Sequence, residues 1–196
     1  MPYLESQKEL DGRKQRTNDS RQKIVEAMLQ LIREGCLEPS AETVASRAGV
    51  GLRTVFRRFN EMELLFRELS VEIQRIFMPE FKKPIKGANW QEKTLDLLDR
   101  KVSIYQMIAP YRVAAKFHKH TSEFIRQDVA YWNSLEKKVL EDILPINETT
   151  DITIFNAING CMSFDYWLTL TSAQGLTSEQ ASETIKATVK RLMADL

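Results

Sequence analysis

The stretch Ser40–Phe59, SAETVASRAGVGLRTVFRRF, decides the fold of this chain, because it predicts two short helices joined by a tight turn. Ser40 suits the N-cap of the first helix, since its hydroxyl can accept a hydrogen bond from an unsatisfied backbone N–H. Gly49 stands where a left-handed residue closes a helix at little cost. Between them, small apolar side chains recur at helical spacing and would let a second helix approach closely. They are Ala41, Val44, Ala45 and Ala48.

The second helix of the pair, predicted over Leu52–Phe59, has two unlike faces. Val55 and Phe59 form an apolar underside. A helix that turns arginines away from such an underside can enter the major groove of DNA, where guanidinium groups donate to guanine and to phosphate. Spacing alone leaves a second interpretation open, in which the same residues are a solvated surface. The residues predicted to face outward are Arg53, Thr54, Arg57 and Arg58.

From Ile24 to Leu65 the chain resembles the DNA-binding domain of the tetracycline-repressor (TetR) family of bacterial transcription regulators. The matching runs are IVEAMLQLIREG, AETVASRAGVGLRTVFRRF and NEMELL. The family pattern has an Ala-Gly-Val turn, a threonine early in the second helix, an aromatic residue two positions later, and a closing phenylalanine. In this chain those places are filled by Ala48, Gly49, Val50, Thr54, Phe56 and Phe59.

The resemblance implies an all-α fold, with an N-terminal three-helix helix-turn-helix domain and a C-terminal helical domain for effector binding and dimerisation. The implied domains are a flexible arm at 1–18, a DNA-binding domain at 19–65 and an effector-binding domain at 66–196. The implied function is a DNA-binding transcription regulator, a repressor, that binds a palindromic operator as a dimer and is released by a small-molecule effector. Such a protein acts in the bacterial cytoplasm, at the nucleoid.

Residue roles at the DNA also follow from the resemblance. Arg53 and Arg57 are expected to contact guanines, each adding about 1–3 kcal/mol of discrimination if bidentate. Phosphate contacts are expected from Ser40, Thr54 and Arg58. Base-facing or adjoining positions are Gly51, Leu52, Arg53, Thr54 and Arg57.

Three positions depart from the family pattern. Phe56 stands where tyrosine is usual, so one phosphate-binding hydroxyl is absent. Met62 replaces a common lysine, and Arg58 stands where histidine is frequent. We include Phe56 in the predicted DNA-binding set all the same.

Charge and composition exclude some classes of protein. The 196 residues carry 28 Lys and Arg against 27 Asp and Glu, so a wholly basic nucleic-acid coat is excluded. Residues 1–60 hold 11 of those basic and 8 of those acidic residues, a weak asymmetry in the direction that DNA binding needs. The longest uncharged apolar stretch, Ile152–Phe164, is too short to span a bilayer. With no apolar N-terminal segment typical of secretion, the expected location is the cytoplasm.

The remaining pattern is helical, and no segment shows sustained strand alternation. Residues 1–18 show no periodicity and are predicted to be an arm. Cys36 and Cys161 lie in helical patterns as small buried hydrophobes. In the N-terminal part, predicted helices run from the caps at 18–20 to about 34, and from an Asn60–Glu63 capping box to Met78, before Pro79. In the middle, they run over 90–108 and 111–119, on either side of Pro110, and from Thr121 to about 143. The last two run over Ile152–Leu170 and from a Thr177–Gln180 capping box to Leu192.

The segment Ile152–Leu170 is apolar on every side, so every side must be covered. One chain of this size could bury it alone, but a partner subunit is the easier solution. In the resembling family the two C-terminal helices form a four-helix bundle across a dimer, which implies a homodimer through Ile152–Leu170 and Ser178–Leu192.

Aromatic and soft apolar residues of the predicted C-terminal domain could line a pocket for a small apolar or aromatic effector. The alternative is plain core, since such residues at helical spacing usually pack inside the protein. The candidates are Tyr105, Tyr111, Phe117, Phe124, Trp132, Phe155, Met162 and Trp167.

An enzyme is the rival class, and the sequence offers it little. No Glu-x-x-His pair of a di-metal helical bundle occurs, and His118 and His120 lie two residues apart, on different faces of a helix. Gly-rich phosphate loops, Cys-x-x-Cys pairs and nucleophile elbows are also lacking. We therefore predict no catalytic residue, metal or cofactor. A helical interaction module that presents its arginines to an acidic protein, without binding DNA, is the other alternative.

Overall fold

A computed structural model of the protein describes residues 2–59, 62–145, 152–194 and 196, and the side chains among them from residue 17 onward. Within those ranges the chain is helical and contains no strand, which confirms the predicted all-α class. The elements are α1 Pro2–Arg33, α2 Ala41–Ala48, α3 Leu52–Arg58, α4 Met62–Phe81, α5 Trp90–His118, α6 Glu123–Glu141, α7 Ile152–Cys161, α8 Phe164–Leu168, a π-helical turn Thr169–Ala173, and α9 Ser178–Met193.

The chain forms two compact units. Unit 1 comprises Met1–Gln74 and Pro110–Gln127, and unit 2 comprises Arg75–Ala109 and Asp128–Leu196. Each of the helices α4, α5 and α6 contributes residues to both units. The domain boundaries at 18/19 and 65/66 that the resemblance implies stay a prediction.

Unit 1 contains the three-helix core that the sequence predicts. α1 packs against both α2 and α3, and α2 packs against α3. One face of α1 is buried at helical spacing and meets the small apolar stripe of α2 and the underside of α3. The buried residues are Ile24, Met28, Leu31 and Ile32 on α1, Val44 and Ala45 on α2, and Val55 with Phe59 at α3.

α1 is longer than predicted. It begins at Pro2, whereas the prediction places its start at 18–20 and assigns residues 1–18 to an arm. Residues 4–16 are mostly Leu, Glu, Gln, Lys and Arg, which are strong helix formers, and proline is favoured at the first helical position. Helix propensity summed over this segment outweighs its lack of apolar periodicity.

Two prolines do not end helices as predicted. α4 continues through Pro79 to Phe81, and α5 continues through Pro110 to His118. A proline inside a helix removes one backbone hydrogen bond and costs about 3 kcal/mol. Residues on either side of Pro110, Ile108 and Tyr111, are both buried, so packing of the two flanking segments offsets that cost.

The start of α6 also differs from the prediction. Ser122, not Thr121, is its cap: the Ser122 Oγ accepts a hydrogen bond from the Ile125 N–H at 3.1 Å. The Thr121 hydroxyl donates instead to the His118 carbonyl oxygen at 3.1 Å. Ser122 is buried, so its hydroxyl is held against the helix end.

The prediction of a single helix over Ile152–Leu170 is wrong. α7 ends at Cys161, and Ser163 then caps α8 by accepting from the Tyr166 N–H at 3.2 Å. Apolar periodicity could not reveal the break at Ser163, because the residues before and after the break are apolar on all sides of the helix. α9 follows with the predicted Thr177–Gln180 capping box, in which both reciprocal hydrogen bonds are made.

Candidate nucleic-acid interface

The turn between α2 and α3 is fixed by local chemistry. Ser40 is the N-cap of α2, as predicted, and its Oγ accepts from the Thr43 N–H at 3.2 Å. Gly49 closes α2 with φ 64°, a left-handed conformation in which a side chain would be strained. The Val50 N–H donates back to the Ala45 carbonyl at 3.0 Å, which satisfies one of the last carbonyls of α2.

α3 is anchored by its underside. Val55 and Phe59 are 5% and 3% exposed, which confirms the predicted apolar face. The Arg21 guanidinium lies 5.4 Å from the centre of the Phe59 ring and covers it from α1. Gly51 precedes α3 with φ −69°, a backbone conformation that any residue adopts. The orientation of α3 is therefore set by Val55 and Phe59 rather than by Gly51.

Arg53 and Arg57 lie on the outer face of α3, one helical turn apart, and both are exposed. We call this pair the guanidinium row. Among the described residues, neither guanidinium has a carboxylate within ion-pair distance. Two cations four residues apart on one face repel each other slightly. Among the described residues, the structure therefore shows no ion pair by which Arg53 or Arg57 stabilises the fold.

An arginine on the preceding helix makes a useful contrast. Arg47 on α2 donates from both of its Nη atoms to the two carboxylate oxygens of Glu34, each at 2.7 Å. The hydrogen bond from Arg47 lowers the pKa of the Glu34 carboxyl below its ordinary value of 4.5. The charge of Arg47 is thus neutralised within the protein, whereas the two guanidinium groups of the row have no such carboxylate partner among the described residues.

Thr54 and Arg58 do not share the outer face, contrary to the prediction that all four polar residues of α3 point outward. Both are half-buried on one flank of the helix. The Arg58 Nε is shielded from solvent and has no hydrogen-bond partner among the described residues. At about 100° per residue, positions 53, 54, 57 and 58 span too wide an arc to face one way. The phosphate roles of Thr54 and Arg58 stay predictions.

The other flank of α3 carries exposed apolar side chains. Leu52 is 37% exposed and Phe56 is 56% exposed, and they also lie one turn apart. We call this pair the apolar row. It runs beside the guanidinium row, because Phe56 is three residues from Arg53 and such residues are neighbours on a helix surface.

The start of α4 is tied to α6 within unit 1. One carboxylate oxygen of Glu63 accepts from the Glu123 N–H at 3.0 Å, and the other accepts from the Phe124 N–H at 3.2 Å. Asn60, the other half of the predicted capping box, lies outside the described residues. Met62 is 49% exposed.

The predicted effector candidates of unit 2 are largely core. Tyr105 is 1% exposed, and its hydroxyl lies 2.9 Å from the Met162 carbonyl oxygen and 3.1 Å from Glu136 Oε2, so one proton is shared between two acceptors. The Trp167 ring lies 5.9 Å from the Tyr105 ring. The buried Nε1 of Trp167 has no hydrogen-bond partner among the described residues. Tyr105, Met162 and Trp167 are therefore brought together.

The other candidates of unit 2 lie in different surroundings. Phe155 is 1% exposed, and the Lys137 ammonium lies 5.7 Å from the centre of its ring. Trp132 packs edge-on against Phe77 and Phe81, with ring centres 5.1 Å and 5.8 Å away. Sequence reasoning missed both of these partners, because neither phenylalanine lies in the segments assigned to a pocket.

Three effector candidates belong to unit 1. Tyr111 is buried, and its hydroxyl accepts a hydrogen bond from the Arg33 Nε. Phe124 lies under the Arg67 guanidinium, 4.6 Å from the centre of its ring. Phe117 is 51% exposed. Their use as effector contacts stays a prediction.

The histidine and cysteine side chains of the described residues have different surroundings. In the ranges that the structure describes, no group of three His, Cys, Asp or Glu side chains could hold a metal ion. His118 packs on the Phe66 ring with ring centres 5.0 Å apart, and His120 is exposed. Cys36 and Cys161 were predicted to be small buried hydrophobes, and both are half-buried instead. Burial raises the pKa of the Cys161 thiol above its ordinary value of 9.0.

The fold of this chain is that of TetR transcription regulators. The chain is similar to a TetR transcription regulator from Haloarcula marismortui ATCC 43049, with TM-score 0.62 and 16% sequence identity over 91% of this chain and 98% of that one. It is also similar to a TetR transcriptional regulator from Rhodococcus sp. RHA1, with TM-score 0.51 and 18% identity over the same shares of the two chains.

The likeness to these two regulators is one of structure and not of close sequence. No protein-family model matches the chain, and no curated protein matches it. At 16% and 18% identity, the likeness establishes the fold and leaves the function to be argued from the side chains. No helix in the described part of the chain is long and apolar enough to cross a membrane.

Proposed function

We propose that this protein is a DNA-binding transcription regulator of the TetR type that reads its operator with α3. One observation carries the proposal: the exposed guanidinium row, which has no carboxylate partner among the described residues, on a helix anchored by its opposite face. Arg53 and Arg57 each present a planar fork of donors that matches guanine O6 and N7. On the neighbouring helix α2, Arg47 is paired with Glu34. The exposure of Arg53 and Arg57 is therefore not a general property of the arginines on this surface.

We further propose that the protein acts as a homodimer and a repressor. Two copies paired through Ile152–Leu170 and Ser178–Leu192 would place two α3 helices in successive major grooves, about 34 Å apart, on a near-palindromic operator. A single chain already buries much of the first segment, although Ile152 stays 59% exposed. The pairing is supported by the likeness to TetR folds and by the exposed apolar side chain of Ile152 on α7.

Release by a small effector completes the proposal. A ligand that binds more tightly to an arrangement unable to engage both half-sites would shift the population away from DNA. The buried Trp167 indole N–H supports an effector with a hydrogen-bond acceptor, because this donor has no partner among the described residues. A regulator of this kind would act in the cytoplasm, where the DNA is.

The test begins with selection of bound fragments from genomic DNA, followed by gel shifts over a range of salt concentrations. Arg53→Ala and Arg57→Ala should each weaken operator binding by about 1–3 kcal/mol, roughly 5- to 150-fold, and relax base preference. Arg58→Ala should weaken binding to all sequences alike and flatten the salt dependence. Arg126→Ala is the matched control, because Arg126 is also exposed but lies on α6.

The outcomes separate the proposed function from its rival. Failure of the wild-type protein to retard any DNA at low salt would reject DNA binding and favour the helical interaction module. Wild-type operator affinity in both the Arg53 and the Arg57 variant would mean that α3 is not the reading helix.

A further inference from the structure

The apolar row of α3 keeps apolar surface in contact with water, most of all at Phe56. Val55 and Phe59 already fill the underside, and the Phe56 ring has no aromatic or cationic partner among the described residues. A single exposed apolar side chain is ordinary on a protein surface. Here, however, two of them stand one turn apart on the helix that carries the guanidinium row, which indicates a shared binding surface.

The chemistry of the apolar row restricts what it can contact on a duplex. The side chains of Leu52 and Phe56 carry no donor or acceptor, so these side chains can bind neither a phosphate oxygen nor the polar edge of a base. The edges of the base pairs in the major groove present one apolar group, the C5 methyl of thymine. Because the two rows are adjacent, an α3 that aims Arg53 at a guanine brings Phe56 close to a neighbouring base pair.

We propose that the apolar row reads thymine methyl groups, so that each operator half-site carries one or two thymines next to the guanines read by the guanidinium row. This inference rests on the proposed function and adds the chemical identity of the bases beside those guanines. It also gives Phe56 a role that does not need the hydroxyl of a tyrosine: the ring itself is the contact. Burial of one methyl-sized group against it would strengthen binding roughly fourfold.

The experiment uses the full-length protein and a synthetic duplex of a selected operator. Each thymine in turn is replaced by deoxyuridine, which removes the C5 methyl and keeps base pairing and all hydrogen-bonding groups. Dissociation constants are measured by fluorescence anisotropy. For the wild-type protein we expect a loss of roughly fourfold at one or two thymines per half-site and no change at the others.

Variants assign the contact to a residue. Phe56→Ala should bind the unmodified operator more weakly and should show no further loss at the sensitive thymine, since the partner of the methyl is already gone. Phe56→Tyr keeps the ring and should keep the fourfold sensitivity. Tyr131→Ala removes an aromatic side chain of similar exposure on α6, outside every predicted contact set, and should behave like the wild type. Circular dichroism of each variant shows whether it is folded.

Two results would overturn the inference while leaving the proposed function intact. One is operator binding that is unaffected by deoxyuridine at every thymine. The other is a folded Phe56→Ala variant that keeps the full deoxyuridine penalty. Absence of binding to any duplex would instead reject the proposed function itself.

Discussion

A buried ion pair in unit 2 allows a prediction that does not depend on DNA binding. The Lys101 Nζ on α5 lies 2.8 Å from Glu136 Oε2 on α6, and the two side chains are 6% and 19% exposed. Lys101→Met keeps a long unbranched side chain but removes the ammonium. The Glu136 carboxylate would then lose the Lys101 ammonium, while the Tyr105 hydroxyl still lies 3.1 Å away.

The expected cost follows from the burial of the pair. Breaking a buried ion pair by removing one partner typically costs about 3–5 kcal/mol. Because Glu136 keeps some contact with water and the Tyr105 hydroxyl, we expect the lower end, about 3 kcal/mol. Removing both charges with Lys101→Met/Glu136→Leu should recover most of that loss, since no uncompensated charge remains.

Urea unfolding followed by circular dichroism measures the effect, at one fixed protein concentration so that association does not vary. With a denaturant slope of about 2–3 kcal/mol/M, Lys101→Met should lower the midpoint by about 1–1.5 M without changing the slope. Lys138→Met is the matched control, because its ion pair with Asp142 is equally short at 2.9 Å but exposed. A Lys101→Met shift no larger than this control, or a double variant as unstable as the single one, would refute the reasoning.

Three further predictions concern single residues. Glu63→Ala should speed hydrogen exchange at the Glu123 amide and lower the free energy of unfolding by about 1 kcal/mol, because it removes an acceptor from a helix start; unchanged exchange there would contradict the observed cap. The Glu34 carboxyl should titrate below 4.5 by NMR and move up in Arg47→Gln, so the stability that this pair adds is present above pH 4.5 and lost as the pH falls through the folded-state pKa. Iodoacetamide at pH 8.5 should alkylate Cys161 more slowly in the folded protein than in urea, because burial raises the pKa of its thiol; equal rates would count against that shift.

Local chemistry was the part of the fold that the sequence could predict. The hydroxyl of Ser40 and the left-handed φ of Gly49 affect only residues that are close to them in the sequence. The α2–α3 turn can therefore be predicted from the sequence alone. The same holds for the capping box at Thr177–Gln180. A DNA-binding role for α3 needed the resemblance as well, since spacing alone left a solvated surface open.

Tertiary packing decided the elements that the sequence misplaced. Pro79 and Pro110 were predicted to end helices, but side chains near them in the sequence, such as Phe77, Ile108 and Tyr111, are buried, and burial is not visible in the sequence. The break at Ser163 was missed for the opposite reason: its hydroxyl caps α8 locally, but the uniform apolar pattern around it gave no sign that a helix should end there.

The electrostatics around α3 depend on pairings that sequence distance conceals. Among the described residues, the acidic side chains nearest to α3 in sequence are Glu42 and Glu63. Hydrogen bonds at the start of α2, from the Glu42 backbone and Ser40, lower the pKa of the Glu42 carboxyl, and Glu63 is bound to two N–H groups at the start of α6. Both carboxylates therefore face the partly positive end of a helix, which offsets part of their negative charge. In a chain of net charge +1, these two described acids therefore do not neutralise the guanidinium row, because each is bound at the start of another helix.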